Sequence, residues 1–331
     1  QGDTLVTTLD SGLQDFCYRQ LDGKTGSITV VEPSTGKILA MVSSPNFDPN
    51  TVEEQWSWLT SEENTTQNMM NHATQGTYPP GSTFKLITLL EYIRENPDTW
   101  QDFHYTVNCH DGVAHGELDI YGILGMSCNG AFDTIAQTLN STKWQKLAED
   151  FGYNQSDRSQ VDFAYKKSHF DIASDDSVWS RMQLAIGQGT TTVTPLLNLM
   201  MYAAIANDGV MMTPYLVDHY LDANGNVVEQ TKPKALRSVC TKAEAELMDE
   251  FLTYVITNGT AAAGGSQYAR VSGKTGSAQY DSTKNYHAWF CGYGTNDVSE
   301  IAVCVMIEKG GAGGIVAAPV AGQIFDYYFS R

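Results

Sequence analysis

Apolar positions along the chain follow two periods, one of strands and one of helices. Near the start, SITVVEPSTGKILAMVS (residues 27–43) places two β-rich runs around Pro-Ser-Thr-Gly, which predicts a hairpin. PNFDPNTVEEQW then reads as loop. In TYPPGSTFKLITLLEYIRE (77–95) the period turns helical near Ser82. Pro79, Pro80 and Gly81 hold the entry, and Asn96-Pro97 stops the run. From about residue 97 to 194 the pattern breaks into short helical pieces. AFDTIAQTLN and TKWQKLAEDFG are the clearest, and Gly152 is placed to end the second. TPLLNLMMYAAIANDG carries Pro195 near a helix start and Gly209 past its end. TKAEAELMDEFLTYVITNG predicts an amphipathic helix with a threonine cap.

The last third returns to strands. RVSGKTGSAQY, YHAWFCGYGT and EIAVCVMIEK follow one another, GGAGG (310–314) reads as a loop, and APVAGQIFDYYFSR closes the chain as a helix. Strands consecutive in sequence favour antiparallel pairing. With the first hairpin they predict one five-stranded antiparallel sheet drawn from both chain ends. The intervening helices must supply a second layer and an insertion. The expected architecture is therefore α/β, of the α+β type: one domain over residues 1–331 with a mainly helical subdomain at about 97–194. There is no internal repeat and no low-complexity tract.

Composition narrows the function more than the fold. The 331 residues are 42% hydrophobic and 18% charged, as in a globular chain. Net charge is −18, from 20 basic and 38 acidic residues. That argues against nucleic acid, which selects a basic face, and is read as solubility. The first twenty residues hold no signal-peptide apolar region, and LLNLMMYAAIA is too short to span a bilayer, so the chain reads as soluble. Cys17, Cys109, Cys128, Cys240, Cys291 and Cys304 form no C-x-x-C pair. Free buried thiols are expected, because a chain this long can build a core without staples.

Three stretches carry candidate chemistry. Ser82 and Lys85 lie three apart at a helix start, so hydroxyl and amine share one face. The helix N-terminus also offers backbone N–H groups to an oxyanion. Taken singly, serine is a common N-cap and this pair means little. Ser127-Cys128-Asn129 puts a hydroxyl and an amide two apart in a turn, which is by itself an ordinary turn plus cap. Gly273-Lys274-Thr275-Gly276-Ser277 places glycines inside a strand pattern, which suits either a bulge or close approach of another backbone. A carboxylate there would meet Lys274 and the Thr275 and Ser277 hydroxyls. His110, Asp111, His115 and Glu117 in CHDGVAHGELD fit no standard zinc spacing and read as loop; His287 reads as a structural strand residue.

S-x-x-K, S-x-N and K-T-G in this order are the motif set of penicillin-binding proteins and related β-lactamases. The chain resembles the transpeptidase domain of class B penicillin-binding proteins. The likeness runs through GSITVVEPSTGKILAMVSSPNFDPN, NHATQGTYPPGSTFK, MSCN, IGQGTTTVTPLLNLMMYAAIANDG, VSGKTGSAQ, HAWFCGYG and AAPVAGQIF, which cover nearly the whole chain in order. The resemblance implies a serine β-lactamase/D,D-transpeptidase-like fold with Ser82 as the acylated nucleophile. It makes Lys85 the neutral amine that takes the serine proton, its pKa lowered by burial and by Lys274. Ser127 would relay a proton to the leaving amine, and Asn129 would bind the substrate amide and Lys85. Lys274, Thr275 and Ser277, around Gly276, would bind the terminal carboxylate. The backbone N–H groups of Ser82 and Ser277 would form the oxyanion hole. K-T-G-S stands where K-T-G-T is commoner, a change that keeps the hydroxyl.

The implied substrate is a stem peptide ending in D-Ala-D-Ala, with β-lactams as covalent inhibitors and no metal or organic cofactor. A preceding pedestal and membrane anchor are also implied, with Gln1 a boundary inside a longer protein. That protein would sit on the outer face of the bacterial cytoplasmic membrane and work with a membrane glycan polymerase. Other readings share the motifs. A class A β-lactamase needs a glutamate four residues before the asparagine of a Leu-Asn pair, and Ala136 and Thr194 stand there. Asn129 departs from class D enzymes and from the β-lactam sensor domains that resemble them. An intact motif set argues against a non-catalytic scaffold. A D,D-carboxypeptidase stays open, because the motifs do not specify the acceptor.

Overall fold

The computed structural model describes residues 2–107, 109, 114–156, 160–283 and 285–331. Its centre is a five-stranded antiparallel sheet in the order Arg270–Gln279, Tyr286–Thr295, Glu300–Ile307, Gly26–Val31, Ile38–Ser44. The C-terminal meander thus pairs with the N-terminal hairpin through Ala302–Ile307 against Gly26–Val31. The motif-bearing strand, Arg270–Gln279, lies at one edge.

Both sheet faces are covered, which is why the central strands are buried throughout instead of alternating. Successive side chains point to opposite faces. Phe290 meets Phe325 of the C-terminal helix, with ring centroids 6.3 Å apart. Its neighbour Cys291 lies beside Tyr202 of the Pro195–Ala206 helix. That helix is apolar nearly all round because it is buried nearly all round. Thr194 caps it, and Pro195 opens it where no intrahelical N–H is needed. The Ser11–Leu21 helix packs beside the C-terminal one, with Phe16 stacked on Tyr327 at 4.2 Å. Thr241 and Glu244 close a capping box on the Lys242–Asn258 helix.

Residues 97–194 hold the helices Ile120–Gly125, Asn129–Ala136, Ser141–Asp150 and Val178–Ala185, with a short strand pair, His104–Tyr105 and Leu118–Asp119. A small sheet of Thr4–Thr7, Val217–Leu221 and Val227–Gln230 lies apart from the main one. No described helix is long and apolar enough to cross a membrane.

Three sequence expectations are corrected. The stretch read as loop after the hairpin contains a helix, Val52–Leu59, whose only buried side chain is Leu59. With no apolar face to bury, its pattern carries no helical signal. The Ser82 run opens as a 3-10 turn, Gly81–Phe84, before the α-helix Lys85–Glu95. The C-terminal helix begins at Gly313, inside the glycine run read as loop. Those glycines permit close packing. A Cβ at Gly313 would lie 2.3 Å from the Gly276 carbonyl, and one at Gly314 would lie 2.7 Å from that of Thr260.

All six cysteines are unbridged, and Cys17, Cys128, Cys291 and Cys304 are buried. Cys291 and Cys304 are cross-strand partners, with sulfurs 3.3 Å apart.

Candidate active site

The nucleophile candidate sits on a tightly specified turn. Gly81 has φ +56°, and a Cβ there would press on Ala278 of the edge strand. Its N–H donates to the Gly187 carbonyl at 2.9 Å. Gly187, at φ +69°, has no room for a side chain against Gly81. The next residue but one is held from below. Thr83 Oγ1 donates to the Pro80 carbonyl at 2.9 Å and accepts from Asn198 Nδ2 at 3.0 Å. Tyr202 donates to the Thr83 carbonyl at 2.8 Å. Asn198 and Tyr202 are buried polar members of the core helix. Ser82, between these anchors, is partly exposed, and its hydroxyl takes no hydrogen bond among the described residues.

This clamp yields a prediction. Tyr202→Phe leaves the Thr83 carbonyl buried and unpaired, a cost of about 1–3 kcal/mol. Chemical denaturation is expected to read that loss, and acylation of Ser82 to slow with it. Unchanged values of both would remove the clamp from the account.

One turn after Ser82, Lys85 is fully buried. Its Nζ donates to the Ser127 carbonyl at 2.8 Å and to Asn129 Oδ1 at 2.7 Å, and lies 3.3 Å from Ser127 Oγ. A neutral amine has two N–H bonds and one lone pair. The two carbonyl acceptors use the first, and the lone pair is left for a hydroxyl proton. Burial, the largest influence, drops this amine from 10.5 to about 7 against the opposite pull of Cys128, Cys109 and Asp133. The charge effect expected from Lys274 falls instead on Lys274 itself. That amine is held well below its ordinary value by burial and then by Lys85. Two buried ammonium groups around one hydroxyl repel, so the pair favours one proton fewer than two exposed lysines would carry.

Ser127 is the point of contact. Its Oγ accepts from Lys274 Nζ at 2.9 Å while facing Lys85. The residue has φ +54°, a left-handed conformation that costs a non-glycine about 1 kcal/mol or more. The following helix, Asn129–Ala136, starts immediately and fixes Asn129.

The third piece is the edge strand. Lys274 is fully buried and also donates to the Thr275 carbonyl at 3.0 Å. Thr275 Oγ1 lies 3.1 Å from Thr260 Oγ1. Ser277 is exposed, and its Oγ accepts from the Gly313 N–H at 3.0 Å, which leaves its own proton free to donate. At Gly276 a Cβ would come within 2.9 Å of the Pro80 carbonyl, so glycine lets the strand and the Ser82 turn touch. As an edge, the strand offers backbone groups to an extended ligand.

The structure therefore joins Lys85, Ser127, Asn129 and Lys274 by direct hydrogen bonds, and sets Thr275, Gly276 and Ser277 along the adjoining strand. The Ser82 hydroxyl and Lys85 amine share a face without a hydrogen bond between them, as unliganded sites often do.

His110 and Asp111 lie outside the described residues. Glu117 pairs with exposed His104 at 3.1 Å. His115, however, does come together with other donors: a ring nitrogen of His115 and the sulfurs of Cys109 and Cys128 lie within 4.8 Å of one another. Two thiols and an imidazole are a donor set able to hold a soft divalent metal. Spacing within 109–119 could not reveal it, because Cys128 arrives from the S-x-N turn. His287 is buried against Tyr78, edge to face at 5.4 Å, and accepts from the Lys309 N–H, a structural placement.

A mixed sheet-and-helix domain whose paired lysines meet at one serine hydroxyl beside a helix-borne serine defines the penicilloyl-serine class of folds. Residues 26–326 match the penicillin binding protein transpeptidase domain family, and the chain belongs to it. Peptidoglycan D,D-transpeptidase MrdA of Acinetobacter baumannii is 29% identical over 364 residues, taking in 99% of this chain. The chain spans 54% of that relative's length. The D,D-transpeptidase domain of a peptidoglycan glycosyltransferase from Eggerthella lenta superposes with a TM-score of 0.88 at 27% identity, over 98% of this chain and 82% of that one. The ceftriaxone acyl-enzyme of penicillin-binding protein A from M. tuberculosis gives 0.87 at 25% identity, over 98% and 80%.

Proposed function

We propose that this chain is the catalytic domain of a peptidoglycan D,D-transpeptidase acting through an acyl-enzyme on Ser82. The observation that carries the reading is the Ser127 hydroxyl shared by two buried lysines, the first of which, Lys85, stands one turn after Ser82, whose own hydroxyl takes no hydrogen bond among the described residues. A peptide ending in D-Ala-D-Ala lies along the edge strand, with its terminal carboxylate at Thr275 and Ser277 and the charge of Lys274 behind them. Lys85 takes the Ser82 proton as Oγ attacks the carbonyl carbon of the penultimate D-Ala. The tetrahedral oxyanion sits at the N–H groups of Ser82 and Ser277, and each such donor is worth roughly a hundred- to a thousand-fold in rate. The C–N bond then breaks. The proton passes through Ser127 Oγ to the departing amine, and D-Ala leaves. An amine of a neighbouring strand attacks the ester in the second half-reaction, gives up a proton along the same path and restores the Ser82 hydroxyl. β-Lactams enter by the first half alone, because their leaving group stays tethered.

In the longer protein the domain would work on the outer face of the cytoplasmic membrane beside a glycan polymerase. These last assignments follow from the family resemblance.

The test is to supply an N-blocked peptide ending in D-Ala-D-Ala together with an amine, and to follow both D-Ala and the transfer product. Release of D-Ala with product supports the reading; no D-Ala release and no β-lactam adduct would overturn it. The pH profile supplies a further expectation. The reactive form of Lys85 is the amine, and its pKa lies at about 7. Benzylpenicillin acylation rates should therefore climb as pH rises through about 7 and flatten above it. A rate falling over that interval would contradict Lys85 as the base.

A further inference from the structure

In the transpeptidase reading the hydroxyls of Thr275 and Ser277 both serve the donor's terminal carboxylate. Each has one proton to give, and a carboxylate only accepts, so each proton must point toward the ligand. For Ser277 the direction is set, because its Oγ accepts from the Gly313 N–H at 3.0 Å. Thr275 has a different partner. Its Oγ1 lies 3.1 Å from Thr260 Oγ1, and neither hydroxyl makes another hydrogen bond among the described residues. Two hydroxyls in contact use one of their two protons between them and keep the other to spare. If Thr275 donated to Thr260, it would hold nothing for the carboxylate. If Thr260 donates, the Thr275 proton is free. The chain from Thr260 to Thr275 to carboxylate then runs in one direction, and each bond strengthens the next.

Thr260 lies outside the three motifs, yet Gly259-Thr260, just after the Lys242–Asn258 helix, meets a neighbour of each piece of the carboxylate site. The Thr260 N–H donates to the carbonyl of Gly125, which ends the helix before Ser127, at 3.0 Å. Gly259 is pressed on the same carbonyl, and a Cβ there would come within 2.3 Å of it. The Thr260 carbonyl lies against Gly314, next to the Gly313 that holds Ser277. The backbone is thus pinned on two sides, and the side chain reaches Thr275 from a fixed base. Thr260 itself is exposed, so water could serve its hydroxyl and burial does not force the contact.

We propose that Thr260 is a positioning residue for carboxylate recognition. It donates to Thr275 Oγ1 and so turns the Thr275 proton toward the terminal carboxylate of the donor peptide or of a β-lactam. The inference rests on the transpeptidase reading and adds to it a residue that none of the three motifs contains. Thr260 acts through Thr275 and does not itself hold the ligand. Its effect therefore vanishes when either the Thr275 hydroxyl or the charge of the ligand's carboxylate is taken away.

The experiment measures second-order acylation rates with benzylpenicillin and with its methyl ester. It compares the parent, Thr260→Val, Thr260→Ser, Thr275→Val and the double variant Thr260→Val/Thr275→Val. Thr260→Val keeps the shape of the side chain and loses the hydroxyl. It is expected to slow acylation by the acid about three- to tenfold, the worth of one neutral hydrogen bond, and to leave the ester's rate unchanged. Thr260→Ser should restore the rate with the acid. On top of Thr275→Val, Thr260→Val should add nothing. A general loosening of the cleft would instead slow acid and ester alike. An unchanged rate with the acid in Thr260→Val, an equal loss with the ester, a serine variant as slow as the valine one, or additive losses in the double variant would overturn the proposal. The adduct on the parent, read by mass, reports separately on the transpeptidase reading, and its absence would overturn that reading and this one with it.

Discussion

Ser82→Ala is expected to form no covalent adduct with benzylpenicillin and to release no D-Ala from a D-Ala-D-Ala peptide. Removing a catalytic serine from a unit that works as one typically costs on the order of a millionfold. The variant is well suited to this test because the Ser82 hydroxyl makes no hydrogen bond among the described residues. The turn is held by Gly81 against Gly187 and by Thr83 against Pro80, Asn198 and Tyr202. Its unfolding free energy should therefore stay within about 0.5 kcal/mol of the parent, as for other substitutions away from structural contacts. Intact mass spectrometry reads the adduct and thermal unfolding reads the fold. An adduct on Ser82→Ala would move the nucleophile elsewhere.

The second large effect belongs to Lys85. Lys85→Met is expected to slow acylation by about a hundred- to ten-thousandfold, the span usual for a lost general base. It also leaves the Ser127 carbonyl and Asn129 Oδ1 without their donor. Lys85→Arg separates the two roles. Its guanidinium can still donate to those carbonyls but does not deprotonate, so it should be as inactive as the methionine variant. Stopped acylation kinetics on both variants provides the check, and an active arginine variant would reduce Lys85 to a positioning charge.

Much of this site was legible because each of its three pieces is punctuated locally. Prolines and glycines frame Ser82, a turn frames Ser127, and glycines interrupt a strand at Lys274. The five-stranded sheet was legible for a related reason: the strand-period segments that build it stood at the two chain ends, each bounded by turn residues. What supports the Ser82 turn was hidden. Asn198 and Tyr202 sit in LLNLMMY, which reads as a plain apolar helix, and only packing turns them toward Thr83. The Cys109–His115–Cys128 grouping was hidden because two segments must fold together before its donors meet. The cause of the Lys85 shift was foreseen in part. Burial dominates as expected, whereas the like-charge effect appears on Lys274. The start of the last helix was missed because glycines that usually mark a loop serve there as contact surfaces, Gly313 against the Gly276 carbonyl of the edge strand.

The central claim is that Ser82 is acylated and that the ester then waits for an amine. Its most direct test is the intact mass of the protein after a short exposure to benzylpenicillin, followed over hours once free drug is removed. The account predicts a single adduct of one drug mass on Ser82 that persists for hours. A protein that returns quickly to its starting mass while hydrolysed drug accumulates would be a β-lactamase, and would contradict it.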